Sequence, residues 1–262
     1  TVVGGFTMLP EKTELNRLRQ RLVAALADLD QAADLFASFA LPDFSRETEF
    51  VSLGGGDTYP FIGGDLVSSD GVRRKEQEYA LMTNEYSVAQ STSKWSRLSR
   101  ASFAVGALAR VNNNFHLLHP LARAVAERFR LSPVNHNPFM HPVAQLVECV
   151  QVVTDAALLI DRLLAMDFGP PRLAVVPRAG RGVGAVEVPR GILYHMYEFD
   201  GKGRIVRADC VIPTSQNHAN IQHDIAALAE KSAREGLPDQ TIERLASMRV
   251  RAYDPCISCS VH

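Results

Sequence analysis

Apolar residues at Leu15, Leu18, Leu22, Leu26, Leu29, Ala33 and Phe36 recur at three- and four-residue spacing behind Pro10. That spacing predicts one long amphipathic helix, with the proline at its start. Helical periodicity returns from Glu76 to Leu131, with polar breaks at Asn112-Asn113-Asn114, and again from Pro142 to Met166. The stretch from Val143 to Met166 is the most hydrophobic in the chain, yet Glu148, Asp155, Asp161 and Arg162 interrupt it. It reads as a buried core helix, not a membrane span.

Between these blocks the pattern shortens. Val51 to Gly71 holds Gly54-Gly55-Gly56 and Gly63-Gly64 between β-prone runs, a small meander or loop excursion. After Pro170-Pro171, the runs Leu173 to Val176, Val183 to Val188, Ile192 to Phe199 and Ile205 to Ile212 predict strands. Asp200-Gly201-Lys202-Gly203 is a tight-turn signal, so Pro189 to Phe199 and Arg204 to Pro213 are expected to form a hairpin with Arg190 opposite Val211 to Pro213. Helices are expected from Ala219 to Glu235 and from Pro238 to Met248, followed by an extended tail. The fold class is α+β, mainly α, with long buried helices and a small antiparallel β section near the C-terminus. No internal repeat or linker divides the chain, which is expected to form one domain.

Composition narrows the function. The 262 residues carry 28 Lys and Arg against 29 Asp and Glu, which leaves no electrostatic footprint for nucleic acid. Four cysteines are too few for a disulfide scaffold. With no secretory leader visible, they favour metal or redox chemistry in a reducing compartment, the cytoplasm. The start at Thr1 looks internal.

Gly180-Arg181-Gly182-Val183-Gly184-Ala185 matches a loose dinucleotide pattern, but a strand follows where the pyrophosphate needs a helix N-terminus, so turn glycines are the better reading. Of the eight histidines, His218 and His223 are off one helical face, and His116, His119, His136 and His141 read as polar loop contacts. The tail Asp254-Pro255-Cys256-Ile257-Ser258-Cys259-Ser260-Val261-His262 differs in kind. Two thiolates separated by two residues can grip one soft metal ion from one side of a tight turn, and Pro255 stiffens the approach. Taken alone, a Cys-x-x-Cys pair fits half a zinc site or a redox dithiol equally well.

The residues around that pair decide between these. Asp-Pro-Cys-x-x-Cys-x-x-His resembles the closing signature of the nickel-iron hydrogenase large subunit. Glu187-Val188-Pro189-Arg190-Gly191-Ile192-Leu193 resembles that family's Pro-Arg-Gly segment, and Val211-Ile212-Pro213-Thr214 its Val-Pro-Ser/Thr segment. Val3-Gly4-Gly5-Phe6, Leu9-Pro10-Glu11-Lys12 and Arg249-Val250-Arg251-Ala252-Tyr253 look most like the soluble, NADP-linked, sulfhydrogenase-type branch.

The resemblance implies reversible cleavage of dihydrogen at a nickel-iron centre whose iron carries cyanide and carbon monoxide. In the family four cysteines hold nickel. Carried over by position, Cys256 is a terminal nickel ligand and proton acceptor, and Cys259 bridges nickel and iron. Arg190, held by Asp254, lies over the open metal position. Pro213 and Thr214 belong to the segment that hydrogen-bonds a cyanide, while Pro189 and Leu193 belong to the segment packed on the diatomic ligands. His262 and the backbone carbonyl of Cys210 bind a magnesium-like ion. There is no upstream Cys-x-x-Cys and no acidic proton gate near the start, so the chain is expected to be the C-terminal part of a large subunit. It then needs a polypeptide with the first cysteine pair, an iron-sulfur small subunit and a flavin subunit reactive with NAD or NADP. Rival readings are a metal-free scaffold related to the hydrogenase-like subunit of respiratory complex I, and a zinc-binding domain.

Overall fold

A computed structural model describes residues 8–167 and 176–261. The long helix behind Pro10 is α1, Lys12–Ala37, and it packs along the most apolar helix, α5, His141–Leu164. The segment Pro138–Leu164 is long and apolar enough to cross a membrane, but 56% of its most apolar window is buried against the rest of the protein. That burial fits the core-helix reading. Around α5 lie α3, Ala107–Asn114, and α4, Pro120–Arg128. Ala107, Leu108, Val111, Ala122, Val125, Val143 and Val147 form the helical core.

The glycine-rich excursion folds as β1, Glu49–Gly54, paired antiparallel with β2, Asp65–Ser68; β3, Arg73–Arg74, and β4, Phe103–Ala104, complete a sheet of order β3-β2-β1-β4. The expected helix from Glu76 onward is corrected. Its first part is limited to a short 3-10 turn and α2, Tyr79–Thr83, closed by Asn84 at φ 37°; helix resumes in α3, which includes the expected break at Asn112 to Asn114, and in α4. Serine-rich residues then bend the chain, because their hydroxyls bond nearby backbone groups in place of a helical ladder: the Ser91 hydroxyl donates to the Ser93 carbonyl at 2.9 Å and accepts from the Ser93 amide at 3.0 Å.

A second sheet, order β5-β6-β7, joins β5, Gly180–Val188, β6, Gly191–Phe199, and β7, Ile205–Val211. The expected strand at Leu173 to Val176 falls mostly outside the described residues. Gly180, Gly182 and Gly184 lie within β5, so the turn reading is corrected, and no phosphate loop forms there. The hairpin register also differs from expectation. Val188 pairs with Gly191 across the β5–β6 turn, which holds Arg190, and β6 first meets β7 at Tyr194 opposite Val211, so Arg190 does not lie opposite Val211 to Pro213; a bulge between Glu198 and Phe199 shifts the ladder further along. On β6, Ile192, Tyr194 and Met196 are buried on one face and pack with Val51, Leu53, Leu66 and Val211 in a second core.

Helix α6, Pro213–Arg234, starts before the expected Ala219. Pro213 suits a first turn because no amide is required of it there. The weak helix formers that follow are held by tertiary bonds. Gln216 Nε2 donates to the Ile192 carbonyl at 2.7 Å, and Asn217 Oδ1 accepts from the Val105 amide at 2.9 Å. Helix α7, Asp239–Ala252, runs back along α6, and the tail is not extended throughout: Ile257–Ser260 makes one helical turn, α8.

Candidate functional site

Three segments meet at the tail: the Pro189–Arg190 turn, the start of α6, and Asp254 to Cys259. Arg190 Nε lies 3.1 Å from Asp254 Oδ2 and donates to the Asp254 carbonyl at 2.5 Å. Asp254 itself stands at φ 48°, a left-handed conformation that a non-glycine residue holds only when its surroundings fix it. The fixing comes from the preceding residue. Tyr253 is buried, its ring 4.5 Å from that of His141, and its hydroxyl donates to Asp224 Oδ2 at 2.8 Å and accepts from Asn220 Nδ2 at 2.6 Å. Buried Arg249, one turn back on α7, pairs with Asp224.

The cysteines follow directly. The Cys256 amide donates to Thr214 Oγ1 at 3.2 Å, which ties the tail to the first turn of α6. The Ser260 hydroxyl donates to the Cys256 carbonyl at 3.2 Å and closes α8. Cys256 and Cys259 are joined as a disulfide, with Cα atoms 5.3 Å apart. Metal ligation by both requires that bond reduced, since the thiolate is the ligand. Among the described residues no group of three or more His, Cys, Asp and Glu side chains is placed to hold a metal ion. The pair therefore supplies two soft donors, which fit half of a four-thiolate set.

The sequence-read residues separate as follows. Arg190, Asp254, Thr214 and Cys256 are brought together by hydrogen bonds or ion pairs, with Pro213 buried beside Thr214. Pro189 is exposed in the turn, and Leu193 stands half-buried on β6 opposite Val186. Cys210 lies on β7 opposite His195, its sulfur 3.6 Å from His195 Nε2. His262 lies outside the described residues.

Sequence reasoning missed a buried ionic cluster behind the turn. Arg110 of α3 donates to both oxygens of Glu148 at 2.6 Å and to Glu187 Oε2 at 2.9 Å. Burial raises the Glu187 carboxyl above its usual range, and the Arg110 charge offsets this only in part. A signal was present: Arg110 stands alone in the apolar run Ala107 to Val111, and Glu148 interrupts the most hydrophobic helix. The cluster lines a cavity of 710 Å³ with Leu29, Phe61, Val152 and Pro189.

A family model described as nickel-dependent hydrogenase matches residues 74–262. The chain belongs to that family. The chain is 36% identical to sulfhydrogenase 1 subunit alpha of Pyrococcus furiosus, over 100% of this chain and 61% of that protein. It is 25% identical to sulfhydrogenase 2 subunit alpha of the same organism, over 99% of this chain and 60% of that one. The chain thus spans about three fifths of the length of these relatives. An NAD+-reducing [NiFe]-hydrogenase in its H2-reduced state superposes with TM-score 0.70 at 24% identity, covering 96% of this chain and 58% of the other. A Dm. baculatum [NiFeSe]-hydrogenase gives TM-score 0.63 at 18% identity, covering 100% and 63%. These likenesses bear out the large-subunit fold: mainly helical, with a small antiparallel sheet ahead of the tail.

Proposed function

We propose that this chain contributes half of a site that cleaves dihydrogen reversibly into protons and electrons. The observation that carries the reading is the Arg190–Asp254 clamp beside Cys256, three family motifs brought together by the fold. A nickel-iron centre with cyanide and carbon monoxide, when bound, polarises dihydrogen and takes up its electrons. Cys256 and Cys259, reduced, would be the two thiolates this chain offers to hold it, with Cys259 in the shared role that the family resemblance implies.

The residues divide the remaining work. Arginine is not deprotonated in proteins, so Arg190 acts as a fixed positive charge and a steric wall, and the Cys256 thiolate takes the proton. Thr214 Oγ1 already accepts from the Cys256 amide, which leaves its hydroxyl proton free to donate to a cyanide. Pro213, Pro189 and Leu193 are the apolar wall for the diatomic ligands. His262 and the Cys210 carbonyl are the holders of a magnesium-like ion. The missing cysteine pair comes from further polypeptide, and electrons leave through an iron-sulfur subunit toward a flavin subunit and NAD or NADP, in the cytoplasm. Similarity to proteins named as sulfhydrogenase alpha subunits supports the multi-subunit arrangement.

The test is infrared spectroscopy of the purified complex with nickel and iron analysis. Cyanide and carbonyl bands are expected, with nickel present and iron in excess of it by the amount the iron-sulfur subunit carries. Zinc in their place, or no metal with no bands, overturns the reading.

A further inference from the structure

The guanidinium of Arg110 uses all five of its N–H groups. Nε and Nη2 grip Glu148, each at 2.6 Å; Nη1 donates to Glu187 Oε2 at 2.9 Å. The two remaining N–H groups turn toward backbone, to the Val188 carbonyl at 2.9 Å and the Pro189 carbonyl at 3.3 Å. Those carbonyls belong to the residues immediately before Arg190. The whole arrangement is dry, with side-chain exposures of 2% for Arg110, 8% for Glu148 and 0% for Glu187.

Its partners are themselves held. The Tyr59 hydroxyl donates to Glu148 Oε1 at 2.7 Å, and the Leu53 amide of β1 donates to Glu187 Oε1 at 2.7 Å. The opposite side of the turn is closed by glycines. A Cβ on Gly106 would lie 3.2 Å from the Arg190 carbonyl oxygen, and one on Gly191 only 2.3 Å from a Val105 methyl. The chain therefore braces the turn from α3, from α5 through Glu148, and from β1 through Glu187.

We propose that Arg110 is a positioning residue: its planar fork ties the Val188 and Pro189 carbonyls to two buried carboxylates and so fixes where the following Arg190 points its charge. The proposal rests on the dihydrogen-cleavage reading above. Burying three charges is costly, and an apolar cluster of equal volume would hold the core as well or better. What an apolar cluster lacks is a rigid set of donors aimed at two consecutive carbonyls. Lysine has three donors on a flexible stem, and these cannot span two carboxylates and two carbonyls at once.

Arg110→Lys, Arg190→Lys, their double variant and Glu148→Gln are prepared in the assembled complex. Nickel and iron content, the cyanide and carbonyl bands, hydrogen uptake, and backbone amide exchange across Val188 to Gly191 are measured. Arg110→Lys is expected to retain both metals, to speed amide exchange at the turn, and to slow uptake by about a hundredfold, the size of effect that a misplacement of about an ångström produces. In the Arg190→Lys background the same change is expected to cost little more, because the arginine it positions is already gone. Glu148→Gln keeps the shape of the brace and weakens its grip, so the same effects are expected at smaller size; it decides the matter if Arg110→Lys does not assemble. Unchanged turn exchange, or losses that multiply fully in the double variant, overturn the positioning role. A wild-type complex without the metal bands sinks the underlying reading instead.

Discussion

Arg190 and Asp254 face each other in a pair that is partly open to solvent, 39% and 49% exposed. Such a pair contributes at most about 1 kcal/mol to stability. Its importance is directional, since Asp254 presents both a carboxylate and a carbonyl to one guanidinium. Arg190→Lys is therefore expected to keep nickel, iron and the thermal midpoint close to wild type while hydrogen uptake falls about a hundredfold to a thousandfold; lost metals or wild-type turnover would contradict the placement. His141 makes the opposite case. Read from sequence as a loop contact, it opens α5 and is buried, with no partner for Nε2 among the described residues. Burial, helped by the Arg249 and Arg110 charges, lowers its pKa to about 3. The unfolded chain takes up this proton near pH 6.5 and the folded chain does not, so stability is complete above pH 6.5 and falls as pH drops toward 3. The expected slope is about 1.4 kcal/mol per pH unit, and His141→Phe should flatten it in denaturation midpoints measured from pH 7 to pH 4; an unchanged slope would show that other groups carry the effect.

The elements show which patterns a sequence exposes and which it hides. Periodicity located α1, α5 and β6, whose buried residues recur at a regular interval, whereas β7 is exposed along most of its length and was legible only as a β-prone run. Register was not legible: the Glu198/Phe199 bulge displaces the ladder, and nothing in Asp200-Gly201-Lys202-Gly203 announces it. Glycines were equally ambiguous, since the same residue serves strand, turn and close approach. Gly182 lies in β5 with open space where a Cβ would go, whereas Gly191 sits at φ 140° against Val105. Gly182→Ala is expected to be neutral or to stabilise by up to about 1 kcal/mol. Gly191→Ala must both strain the backbone and displace Val105, at a cost of about 2–4 kcal/mol, read as a shifted urea midpoint. Equal midpoints for the two variants would mean that the β5–β6 turn is looser than its contacts indicate.

At the scale of the molecule, the tail motif announced the family while the supports around it stayed hidden. Arg110 and Glu148 act through contacts between residues distant in sequence, and single charges inside apolar runs are their trace; Arg249 and Tyr253 were legible only as part of a branch motif, and their partner Asp224 not at all. The same view limits what the chain does alone. Its other two cysteines stand apart from the tail pair: Cys149 lies on α5 beside the ionic cluster, and Cys210 lies on β7 against His195. Neither stands where it could join Cys256 and Cys259 in a four-thiolate set, and these two, apart from each other, are too few for an iron-sulfur cluster. The chain purified by itself is therefore expected to show no cyanide or carbonyl bands and no hydrogen uptake, and coexpression with a polypeptide carrying a second Cys-x-x-Cys pair should restore both. On the role proposed for Cys259, the Cys259→Ser variant of that complex should lose nickel and iron together, because a harder oxygen there would be a poorer donor to a soft metal centre. Uptake at the rate of the complex by the isolated chain would show that this half is sufficient, and the division of the site between two stretches of polypeptide would have to be abandoned.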